Sequence, residues 1–101
     1  MALRIQVDRE RVAALCKRHH IRKLSLFGSV LRDDFRPDSD VDVLVDFEPG
    51  HVPGFLGLHG IAEELAELMG QRRIDLVTPK ALNARLRDQI LAAAEVQYAE
   101  G

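Results

Sequence analysis

The feature that most constrains this chain is the run Asp40-Val41-Asp42-Val43-Leu44-Val45-Asp46-Phe47. Val41, Val43, Val45 and Phe47 recur at every second position, the period of a strand that buries one face. The other face carries Asp40, Asp42 and Asp46 beside Leu44. Aspartate is a poor strand former, so two of them alternating inside a β-branched run need compensation for their mutual repulsion. A bound cation would supply it. The fold must therefore seal an aliphatic sheet face under helices while keeping an acidic face accessible.

The flanking patterns provide the helices. Val12, Leu15 and Cys16 stand at i, i+3 and i+4 within Asp8 to about His19, an amphipathic helix with Asp8 as N-cap. Ile21 to Phe27 alternates Leu24 and Leu26 with Lys23 and Ser25, a strand that stops at Gly28-Ser29. Val30 to Arg32 allows only a short helical turn, because Arg36 precedes Pro37 and is biased away from helix. Glu48 to Gly57, with its prolines and glycines, reads as a loop, and Leu58, Ile61, Leu65, Leu68 and Met69 mark a helix ending near Gly70. Arg73 to Val77 fits a third strand. Thr78-Pro79 reads as N-cap and first helical residue of a last helix striped by Leu82, Leu86, Ile90 and Ala94. The expected fold class is α/β, or α+β if the strands run otherwise: a small mixed sheet with helices packed on it.

With 101 residues, 47% apolar and 30% charged, one globular domain spanning 1–101 is expected. The formal charge of −2 disfavours a nucleic-acid partner held by phosphate neutralisation. No apolar run approaches the roughly 18 residues of a membrane span, and the first residues lack the apolar core of a signal peptide, so a cytoplasmic location is expected and no membrane partner. The lone Cys16 excludes an internal disulfide and reads as a buried, inert thiol.

Three features carry candidate chemistry. Gly28-Ser29, between a strand and a helical turn, suits phosphate binding through exposed amides and a hydroxyl, although such a dipeptide also serves as an ordinary turn. Strand periodicity puts Asp40 and Asp42 on one face about 7 Å apart at the backbone, able to share hard cations with a triphosphate or to form a solvated sheet edge. Asp75, in the strand Arg73-Ile74-Asp75-Leu76-Val77, is either a plain polar position or a third acid. Three carboxylates suit two-metal phosphoryl transfer, with Asp75 on the nucleophile side.

The string FGSVLRDDFRPDSDVDVLVDF resembles the signature of the polymerase-β-like nucleotidyltransferases: Gly28, Ser29, ten residues from Val30 to Ser39, then Asp40, Val41, Asp42. Arg32, the Arg36-Pro37-Asp38-Ser39 lead-in and the segment RIDLVTPKAL make the chain similar to the minimal nucleotidyltransferase (MNT) group in particular. The resemblance covers about residues 20 to 95. It implies ATP as cosubstrate and Mg²⁺, as two ions, with Asp40, Asp42 and Asp75 as catalytic metal ligands and Gly28, Ser29 and Arg32 at the nucleotide. It also implies a protein adenylyltransferase acting as antitoxin, adding AMP to a tyrosine of a cognate HEPN-domain ribonuclease toxin with which it forms a hetero-oligomer. Asp33 departs from the glycine that larger family members carry after the matching arginine.

The rival functions are a non-catalytic antitoxin that neutralises by binding and a transferase for a small molecule or RNA. His19, His20, His51 and His59 lie in different predicted elements without ligand spacing and read as surface residues. Arg36 reads as a solvated loop residue, and Tyr98 either packs at a partner interface or frays with the tail.

Overall fold

The computed structural model describes residues 7–31, 36 and 39–100, without the side chain of Ser29. Arg32, Asp33, Pro37 and Asp38, singled out in the sequence, lie outside the described residues.

The first helix, Arg9–Arg18 (α1), is capped as its sequence predicts, with the Asp8 carboxylate accepting from the Arg11 amide at 3.2 Å. It turns its Val12, Leu15 and Cys16 stripe inward. Strand β1, Ile21–Phe27, follows, then a 3₁₀ turn, Gly28–Leu31. The alternating run forms β2, Val41–Phe47, which pairs antiparallel with β1 from Ile21 opposite Phe47 to Phe27 opposite Asp42. Helix α2, Phe55–Leu68, returns the chain to β3, Ile74–Val77, which lies parallel to β2. A parallel neighbour is out of reach of a tight hairpin, so a crossover element such as α2 is required.

The sheet order is β3-β2-β1-β4, where β4 is Glu95–Ala99 and pairs antiparallel with β1. The expected mixed sheet with packed helices is therefore present. Its buried face carries Leu24, Leu26, Val41, Val43 and Val45 against Val12 and Leu15 of α1 and Ile61 and Leu65 of α2. Leu44, read with the polar face, is also buried, at 3% exposure, and stands opposite Ser25 at 2%. The second face of the sheet is thus closed at its middle and open toward its ends.

Three boundaries differ from the sequence reading. Helix α2 starts three residues before Leu58, its amides running on from an uncharged N-cap, Gly54. The expected last helix is two elements. Pro79 opens only a 3₁₀ turn, Pro79–Ala81, Leu82 is extended, and α3, Ala84–Ala93, takes Asn83 as its cap, with Oδ1 accepting from the Leu86 amide at 2.9 Å. The stripe expected of that helix is not buried, since α3 has no buried residue and Leu86 remains 44% exposed. Finally, Tyr98 neither frays nor lies free: it stands opposite Leu24 in β4 and packs against the core. Among the described residues no helix is long and apolar enough to cross a membrane.

Candidate functional site

At the end of the sheet where β1 stops and β2 begins, three predicted residues come together. Gly28 follows Phe27, and Phe27 pairs with Asp42, so the first residue beyond β1 is carried across the start of β2. Gly28 has φ +77, a left-handed conformation that glycine adopts without strain. A Cβ built there would overlap Oδ2 of Asp42. The sequence suggested that Gly28 admits an anion close to the backbone, and the nearest anion is the chain's own Asp42 carboxylate.

The parallel pairing of β2 and β3 brings the other acid alongside. Asp42 is in register with Asp75, and the neighbouring pairs are Val41 with Ile74 and Val43 with Leu76. Adjacent strands are about 4.8 Å apart, so two carboxylates in register on one face share a single space. Asp42 is half-buried and Asp75 exposed, a graded site with one acid held in the sheet and one at its rim.

Asp40 is placed differently from expectation. β2 starts at Val41, so Asp40 precedes the strand and is exposed. Its Oδ1 receives the Arg73 Nε at 3.0 Å, while the Arg73 carbonyl accepts from the Val41 amide at 2.9 Å. Arg73 thus fixes the entry of β2 with both backbone and side chain, a partner that the sequence reading missed. The signal was available only through β-pairing, since Arg73 immediately precedes Ile74, the partner of Val41. Just upstream, Arg36 and Ser39 close a turn by reciprocal bonds, the Ser39 amide to the Arg36 carbonyl and the Arg36 amide to the Ser39 Oγ, each 3.0 Å.

Asp40, Arg73 and Asp75 border an open groove of about 590 Å³ whose other wall is α2, with His59, Glu63 and Ala66. Ser29 lies in the 3₁₀ turn after Gly28, where backbone amides at a helical start can face an anion. The three acids offer only hard oxygen donors, a set that fits Mg²⁺ with a triphosphate better than a thiolate- or imidazole-seeking ion. Cys16 plays no part here: burial pushes its thiol up to about 12, so it stays protonated in the core.

Residues 9–96 match the model of the nucleotidyltransferase domain family. The chain is 38% identical over 84 residues, 83% of its own length and 80% of the relative's, to the protein adenylyltransferase MntA of Thermococcus cleftensis. Among solved structures, one described as a minimal nucleotidyltransferase superposes with TM-score 0.70 at 42% identity, covering 85% of each chain. A toxin–antitoxin complex with AMP-PNP superposes at 0.72, with 18% identity over 92% of this chain and 74% of that one. A complex of tri-AMPylated Shewanella oneidensis HEPN toxin with its MNT antitoxin superposes at 0.64, with 17% identity over 90% and 69%. The last two likenesses show the fold.

Proposed function

The chain belongs to the nucleotidyltransferase domain family, and from that premise we propose that it is a cytoplasmic protein adenylyltransferase that moves AMP from ATP onto a tyrosine of a HEPN-type toxin, acting as its antitoxin. The observation that carries this reading is the in-register pair Asp42 and Asp75 beside Gly28. It sets two acids on one sheet face beside a glycine whose missing side chain leaves room for the Asp42 carboxylate.

In the reaction, an acceptor hydroxyl oxygen bonds to the α-phosphorus of ATP, the bond to the β-phosphate oxygen breaks, and pyrophosphate leaves. Asp75, the exposed acid, is set to accept the hydroxyl proton. Asp42, held against Gly28, and Asp40 at the strand entry would hold Mg²⁺ together with Asp75. When bound, the ion would neutralise the triphosphate and acidify the attacking hydroxyl. The amides of Gly28 and Ser29 would orient the phosphates, with Arg32 as a further phosphate partner.

A protein acceptor is supported by the named activity of MntA and by the toxin complexes among the structural neighbours. It is further supported by Phe55 and Leu56 at the start of α2, 85% and 83% exposed, the kind of apolar surface that partners cover. The test is to incubate the chain, Mg²⁺ and α-labelled ATP with a HEPN-type toxin. Label should appear on a toxin tyrosine, and Asp42→Asn should abolish it. Toxin neutralisation without label, surviving Asp42→Asn, would favour inhibition by binding alone.

A further inference from the structure

At the opposite end of the sheet from the acids, two histidines, His20 and His51, meet Glu48. His20 forms the corner between α1 and β1 with φ +57, a left-handed conformation uncommon for a residue with a side chain. Its carbonyl accepts from the Glu48 amide at 2.8 Å, and its Nδ1 lies 3.0 Å from the Glu48 Oε2. The His51 amide bonds the Glu48 carbonyl at 3.0 Å, closing a turn in which Gly50 has φ +82. That turn folds the His51 ring onto the His20 ring, with centroids 3.9 Å apart and planes 19° from parallel. One ligand atom from each of His20, Glu48 and His51 lies within 4.8 Å of the others.

We propose that His20, Glu48 and His51 form a second metal site, specific for a borderline divalent ion of the Zn²⁺ kind. Two imidazole nitrogens and one carboxylate oxygen are donors that such ions prefer and that Mg²⁺ does not. Around a tetrahedral ion with bonds of about 2.0–2.2 Å, ligand atoms stand roughly 3.3–3.6 Å apart. The cluster must therefore contract by up to about 1.5 Å, within reach of side-chain rotation at two exposed histidines and a half-buried glutamate. The backbone is already arranged for it: the antiparallel pairing of Ile21 with Phe47 sets residues 20 and 48 side by side, and the Glu48–His51 turn supplies the third ligand. Water would take the remaining position. The site is structural, because the length of β1 separates it from Gly28 by roughly 25 Å. It clamps the segment leaving β2 to the corner entering β1.

The experiment uses the chelator-stripped chain and Zn²⁺ alone, read by equilibrium dialysis with metal analysis and by thermal melting with and without the ion. The variants are His51→Ala, His20→Gly, which deletes a ligand while relieving the left-handed backbone, and the double variant Asp40→Asn, Asp42→Asn. One tightly held equivalent of Zn²⁺ is expected for the wild type and the aspartate variant, with a raised melting temperature in both. His51→Ala and His20→Gly should bind at least tenfold more weakly and lose the rise, while their metal-free circular dichroism matches the wild type. Stoichiometric Zn²⁺ retained by His51→Ala, none retained by the wild type, or loss confined to the aspartate variant would each overturn the proposal.

Discussion

Gly28 and Asp42 share a space that admits no side chain at position 28: an added Cβ would overlap the Asp42 Oδ2. The contact joins the end of β1 to the start of β2 and fixes where one acid of the site points. Gly28→Ala should therefore do two separable things. The positive φ costs about 1–2 kcal/mol with a side chain present, a modest drop in thermal stability. Displacement of the Asp42 carboxylate should reduce AMP transfer at least tenfold, beyond anything the stability loss explains. Melting curves alongside single-turnover transfer assays separate the two effects.

Asp42 and Asp75 stand in register on adjacent parallel strands, and like charges side by side in a sheet are unfavourable. Replacing either by asparagine removes repulsion while keeping shape. Asp75→Asn is expected to hold or slightly raise the metal-free melting temperature while transfer falls by about a hundredfold or more, the scale of removing a group that acts on the reacting atoms. A protein that loses both activity and fold in this variant would mean the carboxylate is structural.

Arg73 pairs with Asp40 at 3.0 Å, with both side chains largely in water, so the pair contributes little to stability. Its effect is on what else Asp40 can bind, because guanidinium and metal ion compete for one carboxylate. Arg73→Gln should leave the melting temperature unchanged and lower the Mg²⁺ concentration for half-maximal transfer by about threefold, a scale set by the small energy of an exposed pair. Unchanged or weakened Mg²⁺ dependence would show that Arg73 helps the bound state instead.

Helices α1 and α2 are linked through Glu64, which lies 2.7 Å from His19 Nε2 and 3.3 Å from Arg18 Nη1. Partial burial opposes the charged form of Glu64, but the hydrogen bonds from His19 and Arg18, with their charges, outweigh it and hold the carboxyl below its ordinary value. A depressed carboxyl favours the folded state above its unfolded value and ceases to do so as pH falls through its lowered folded value. Acid titration should therefore show stability falling below about pH 4.5, where unfolded glutamate protonates. Glu64→Gln should flatten that limb and leave neutral-pH transfer intact, as followed by denaturant midpoints across the acid range.

Much of the site was legible because short-range rules govern it. The two-residue period of Val41 to Phe47 identified the strand and its acidic face, and the glycine after Phe27 marked a junction that only a small residue can form. Asp40 was misread by one position because the alternation extends past the point where pairing with β3 starts, and Arg73 rather than the strand determines its partner. β4 was missed for a related reason: Ala92, Ala93 and Ala94 continue the helical period, and the short run Val96-Gln97-Tyr98 becomes a strand because β1 offers it an open edge. The His20, Glu48 and His51 cluster has no sequence spacing at all. It exists through antiparallel pairing of β1 with β2, a direction that hydrophobic patterning leaves open.

The place of β4 has a consequence for how the chain is made. β1 lies inside the sheet, yet one of its two neighbours arrives from the far end of the described chain, with the Glu100 amide reaching the Arg22 carbonyl at 2.7 Å. Closing so long a loop spends chain entropy before its contacts return any, so this pairing should form late in folding. During synthesis α1, β1, β2, α2 and β3 can assemble while one edge of β1 still has unpaired amides and carbonyls, an edge that a strand from another molecule can occupy. The interval before β4 emerges is when this chain is most exposed to aggregation, and a partner or chaperone present at that moment would protect it most.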